Sequence, residues 1–218
     1  LDSMNSVAAL KLCDQAVMRR QLGFSPTLKH IEEIRMNLVA AYSDADIIGI
    51  PNHKQSTDSH WKQVVKTLDE NVPLRTPVTC DIDFAYQMLD DGSYYKMLHG
   101  LPALNYISCR DLDEGFKRKY AIDRVNKYTI APEAKFTSGY DGEPHYPNQF
   151  NKAARWLDVM QKDFPGSLLL VGAGVIGKIY CNWWRDRGGV AVDIGGVMEL
   201  RSGRVTRGPE KGLDKVDL

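Results

Sequence analysis

The chain is predicted to be an α/β protein, with a mostly parallel sheet covered by helices on both faces. One observation behind this is that strand-like and helix-like segments alternate along most of the 218 residues. The other is the stretch LLLVGAGVIGKIYCNWWRDRGGVAVDIGG, Leu168 to Gly196, which reads as a complete strand–turn–helix–strand unit.

The elements follow in order. Met4 to Leu22 and Leu28 to Tyr42 read as helices; in the second, Ile31, Ile34 and Leu38, with the nearby Met36 and Val39, make an apolar stripe at three-to-four spacing. Asp46 to Pro51 is a short buried strand closed by proline, and Ser59 to Asp69 is a helix with Trp61, Val64, Val65 and Leu68 on one face. Pro77 to Cys80 reads as a short strand. Helical turns over Asp81 to Leu89 and Ser93 to His99 are separated by Asp91-Gly92, a turn dipeptide. Ala103 to Ser108 and Arg124 to Ile130 are strands, joined by a helix from Asp111 to Lys119 that runs from acidic to basic. Glu133 to Gln149 is a loop rich in Gly, Pro and Tyr, and Phe150 to Lys162 is a helix. The final unit has strands at Ser167 to Val171 and Gly189 to Val192.

Composition narrows the function classes. Basic and acidic residues balance at 28 each, so no global field favours nucleic acid or an anionic membrane. No apolar run reaches the ~20 residues of a membrane span, and no signal peptide is visible. The four cysteines, Cys13, Cys80, Cys109 and Cys181, show no metal-like spacing and read as reduced thiols of a cytoplasmic protein.

Within the final unit, Gly172-Ala173-Gly174-Val175-Ile176-Gly177 fits G-x-G-x-x-G without a mismatch. Such a turn lets backbone approach a phosphate, with helix N–H groups and the positive end of the helix dipole aimed at the anion. Asp193 follows about twenty residues after the first glycine, where a ribose-binding acid is expected. Lys178, directly after the third glycine, is placed to reach a phosphate. The alternative for the glycines is close helix–strand packing, for Lys178 an ordinary surface lysine, and for Asp193 a local turn cap. An NAD(P)-dependent oxidoreductase is the obvious rival, but there the fingerprint opens the sheet, whereas here only Ile194 to Leu218 follow Asp193. Ligands in parallel sheets sit beyond the C-terminal strand ends. Those ends carry Pro51-Asn52-His53, Ser108-Cys109-Arg110, Ala131-Pro132-Glu133, Gly172 and Asp193-Ile194-Gly195.

Several segments together resemble the GT-D-type glycosyltransferases: Ala45 to Pro51; Ile130-Ala131-Pro132-Glu133 leading to Pro144-His145-Tyr146-Pro147; the Leu168 to Gly196 unit; and Thr206-Arg207. The resemblance runs over roughly residues 30 to 207 in the family's order. It implies a Rossmann-like fold that moves a sugar from a nucleoside-diphosphate donor, typically UDP-linked, to a glycan or glycoprotein acceptor. It also implies a divalent metal, Mn2+ or Mg2+, held through an Asp-x-Glu motif near the N-terminus. No such motif stands at Leu1 to Asn5, so the sequence is expected to start just after it, and no metal ligand is named. Asp141-Gly142-Glu143 has the letters but reads as a solvated turn.

The resemblance implies a donor-binding group of Gly172, Ala173, Gly174, Gly177, Lys178, Glu133 and Arg207. It implies a catalytic group of Asp193, Glu199 and His145. Glu199 is the candidate general base, because deprotonating an acceptor hydroxyl needs a carboxylate or histidine in reach. Glu199 and Arg201 replace the family's usual Asp and Trp, and Gly196 its Ser. That change keeps open a non-catalytic module that binds nucleotide or glycan. The expected whole is one domain over residues 1–218, with oligomerisation possible.

Overall fold

The computed structural model describes residues 26–50, 78–133 and 141–203, together with Lys62, Lys66 and Glu70. The expected helix over Met4 to Leu22 lies outside the described residues. Of the one expected at Ser59 to Asp69, Lys62 and Lys66 are described as helical and exposed.

Helix α1 (Leu28–Asp44) starts at Thr27, whose hydroxyl accepts the His30 N–H at 3.3 Å while His30 Nδ1 accepts the Thr27 N–H at 3.4 Å. Histidine here takes the role that Glu or Gln plays in the usual reciprocal cap. Ile31, Ile34 and Ala41 are buried, whereas Met36 is 62% exposed and lies off the stripe. Strand β1 (Ile48–Ile50) pairs in parallel with β2 (Thr79–Asp81) as a separate two-stranded sheet. The strand expected to be buried is so only at Ile48; Ile47 and Ile50 face solvent.

Two short helices, α2 (Phe84–Asp90) and α3 (Ser93–Leu98), meet at Gly92, whose φ of 74° breaks the helical path. Then come β3 (Ala103–Ser108), α4 (Asp113–Tyr120), β4 (Arg124–Thr129), a tight π-type turn (His145–Gln149), α5 (Phe150–Asp163) and β5 (Leu168–Gly172). A 3-10 turn (Gly174–Ile176) leads into α6 (Gly177–Asp186), followed by β6 (Val190–Asp193) and α7 (Val197–Arg201). In α4, Asp113 and Glu114 occupy the first turn and Lys117, Arg118 and Lys119 the last, each sign opposite the pole it faces.

The main sheet is fully parallel in the order β4-β3-β5-β6. β3 is buried at every position, as expected of a central strand covered on both faces. Alternate side chains divide the core. Ile107, Leu169 and Val171 face a layer with Ile34, Phe150, Leu157, Tyr180 and Trp184 from α1, α5 and α6. Leu104, Tyr106 and Leu170 face Tyr94, Leu98, Phe116 and Met198 from α3, α4 and α7. The fold is therefore the Rossmann-like α/β arrangement expected. The strand order reverses between β3 and β5, and sheets of this kind place their ligand crevice at the strand ends of that point. Among the described residues no helix is long and apolar enough to cross a membrane.

Candidate functional site

The glycine turn lies at that reversal. Ser108 at the end of β3 stands in register with Gly172 at the end of β5, so the β3 exit and the turn are neighbours. The three glycines have separate physical reasons. A Cβ on Gly172 would fall 2.5 Å from Met198 Cγ and 2.8 Å from its Cβ, because α7 packs against the strand end. A Cβ on Gly177 would meet Asp193 Oδ2 at 3.1 Å and Val171 Cγ1 at 3.2 Å. Gly174 has φ +58°, in the left-handed region. The first and third glycines thus bring β6 and α7 tight against the turn, and Ala173, 7% exposed, is packed between them.

Gly172→Ala is expected to push Met198 and α7 away and to cost about 1–3 kcal/mol of stability. A shifted urea midpoint at unchanged slope checks this. An unmoved midpoint would mean that α7 yields freely.

Lys178 and Asp193, given separate tasks by their positions in the sequence, are brought together. Lys178 Nζ lies 2.5 Å from Asp193 Oδ2 and 3.4 Å from the Gly174 carbonyl oxygen. Burial disfavours the ammonium, but the Asp193 carboxylate outweighs it and the lysine pKa rises. The Lys178 side chain still keeps 41% of its exposure, so it reaches water from the pair. Asp193 Oδ1 accepts the Gly195 N–H at 3.0 Å, which closes a tight turn after β6 with Gly195 at φ +46°. One carboxylate therefore orders the strand exit and holds the lysine.

Glu199 is on α7, an element that the glycine-rich sequence after Asp193 does not announce. Nε of Arg110 donates to its Oε2 at 2.7 Å, Nη2 lies 2.7 Å from the same oxygen as an ion pair, and the Cys109 thiol donates to Oε1 at 3.3 Å. The pair ties the β3 exit to α7 across the crevice, and both side chains are largely buried. Burial, with Glu199 nearby, pushes the Cys109 thiol up to about 12, so it is not a nucleophile at neutral pH.

His145 is packed into the core. It is 3% exposed, its Nε2 is 2.8 Å from the Tyr180 hydroxyl on α6, and burial lowers its pKa to about 4. It is a buried, neutral histidine packed against α6, in a turn whose Gln149 accepts the Ala131 N–H just beyond the β4 exit. Glu133 is half-buried just beyond the β4 exit. Arg207, Asn52 and His53 lie outside the described residues.

The crevice thus gathers the glycine turn, Lys178 with Asp193, and Arg110 with Glu199. Arg110 was legible only as one of several strand-end residues; Met198 gave no signal at all. Among the described residues no cluster of three or more His, Cys, Asp or Glu is placed to hold a metal ion. Asp193 and Glu199 each already carry a cation.

No family model matches the chain, and no curated protein does. Among solved structures, a selenomethionine-substituted structure of a domain of unknown function, DUF1792, is similar in fold. The TM-score is 0.53 at 13% sequence identity, over 85% of this chain and 74% of that one.

Proposed function

We propose that this protein is a glycosyltransferase that uses a nucleotide-sugar donor, UDP-linked, and a glycan or glycoprotein acceptor. The observation that carries the reading is the glycine turn at the sheet's reversal point, opening onto α6 with the Lys178–Asp193 pair at its side. The sequence resemblance to the GT-D-type enzymes supports it, as does the fold shared with DUF1792.

In this mechanism the donor diphosphate lies over Gly174 and the start of α6, where the helix dipole favours an anion. Lys178 turns from Asp193 towards a phosphate oxygen, a short movement for a half-exposed side chain. Asp193 then accepts a hydroxyl of the ribose or of the acceptor. Arg110, whose guanidinium is held by Glu199, supplies a second cation at the crevice wall. Asp193 is the better candidate base, because a carboxylate ion-paired and hydrogen-bonded to a buried guanidinium, as Glu199 is, is a weak one. A divalent cation would stabilise the charge that builds on the leaving diphosphate. The described carboxylates do not form its seat.

Calorimetric titration with UDP, with and without Mn2+, and separately with NAD, tests the reading. UDP binding strengthened by the metal supports it. Lys178→Ala is expected to weaken UDP about tenfold, the worth of one charge-assisted contact. NAD binding indifferent to metal would overturn the proposal in favour of an oxidoreductase.

A further inference from the structure

The charge most in need of explanation is Arg201, at the end of α7. It is 3% exposed, and no carboxylate among the described residues pairs with it. Nη1 donates to the Tyr120 hydroxyl at 2.6 Å. The guanidinium carbon lies 4.4 Å from the centre of the Tyr94 ring, 5.4 Å from that of Tyr120 and 5.9 Å from that of Phe116. Such rings stabilise the charge through their negative faces. They do not supply in-plane hydrogen-bond acceptors. Nε and Nη2 are buried without a partner, and so is the Tyr94 hydroxyl.

Nε and Nη2 form one edge of the guanidinium, with two parallel N–H bonds whose spacing matches the oxygens of a carboxylate or phosphate. An unpaired buried cation with two unmet donors is among the more destabilising features a core can hold. We propose that Arg201 and Tyr94 form a binding site for a two-oxygen oxyanion, a carboxylate or a phosphate, distinct from the glycine turn. The anion takes the Nε and Nη2 edge, and the Tyr94 hydroxyl donates a third bond. Burial raises the Tyr94 pKa, which keeps the phenol protonated and able to donate. The edge is closed to solvent here, so entry requires α3 and α7 to part. Arg201 and Glu199 are both on α7, so occupancy acts on the segment that walls the crevice.

The test is thermal unfolding and calorimetry of the whole chain with inorganic phosphate and separately with acetate, against NaCl at matched ionic strength. A saturable rise in Tm with either anion, beyond that from NaCl, is expected, and which anion acts identifies the oxyanion as phosphoryl or carboxylate. In a Lys178→Ala background, which takes the glycine turn out of the reading, the rise should persist, Arg201→Met should abolish it and Tyr94→Phe should weaken the affinity about tenfold. If Arg201→Met does not fold, the Tyr94→Phe comparison decides. No rise above NaCl, a rise that survives Arg201→Met, or full affinity in Tyr94→Phe would overturn the proposal. Loss of the rise in Lys178→Ala would do so too, by placing the anion at the glycine turn.

Discussion

Gly189→Ala is expected to remove about 2–4 kcal/mol of stability, a large part of the ~5–15 kcal/mol typical of a domain. A Cβ at Gly189 would stand 2.2 Å from Trp184 Nε1 and 2.6 Å from Cδ1 and Cε2. No rotation about Cβ relieves this, because the indole is 0% exposed and fixed by an Nε1 hydrogen bond to the Ser167 carbonyl at 2.9 Å. Overpacking of this kind costs about 1–3 kcal/mol. Displacing the indole loses its hydrogen bond, for about 1 kcal/mol more. Urea unfolding followed by tryptophan fluorescence reads the loss. A midpoint equal to that of the parent chain would mean that the ring has an alternative seat.

Acid should weaken the fold through His145. The folded imidazole titrates at about 4 because burial disfavours its charged form. In the unfolded chain it titrates near its ordinary value of about 6.5. Between those values the unfolded state binds a proton that the folded state refuses, so stability is full above about pH 6.5 and falls on acidification towards pH 4. At about 1.4 kcal/mol per unit, the loss reaches roughly 3 kcal/mol. His145→Asn removes the titration while keeping a polar group opposite Tyr180. Unfolding free energies measured at neutral pH and again near pH 4.5 should converge between variant and parent as the pH falls. Parallel pH profiles for the two proteins would sink the assignment.

Periodicity made most of the elements legible, because each is long enough for its apolar spacing to show. The mostly apolar run of β3 and the amphipathic pattern of α5 are examples. Helix α7 was not legible: five residues carry no periodic signal, and the glycines before it read as loop. The same limit applies to the site. The spacing of Lys178 and Asp193 matched a nucleotide fingerprint, but nothing in one strand of letters says that they neutralise each other. Arg110 and Glu199 are far apart in the chain and meet only because β3 and β5 are neighbours. His145 sits among prolines and looks like a loop residue. What buries it is packing against Tyr180, itself stacked on Phe150, visible only once α5 and α6 lie side by side.

The sheet order also bears on how the protein emerges from the ribosome. Leu104 in β3 pairs with Val125 on one side and with Leu168 on the other. When β4 has been synthesised, β3 can form one edge, but its second waits for the loop, α5 and β5. Through that interval a strand built to be covered everywhere presents bare N–H and C=O groups with Leu104, Tyr106 and Ile107 beside them. Nascent chains stalled before β5 should therefore be captured by chaperones and prone to aggregate, and those carried past Gly172 should not.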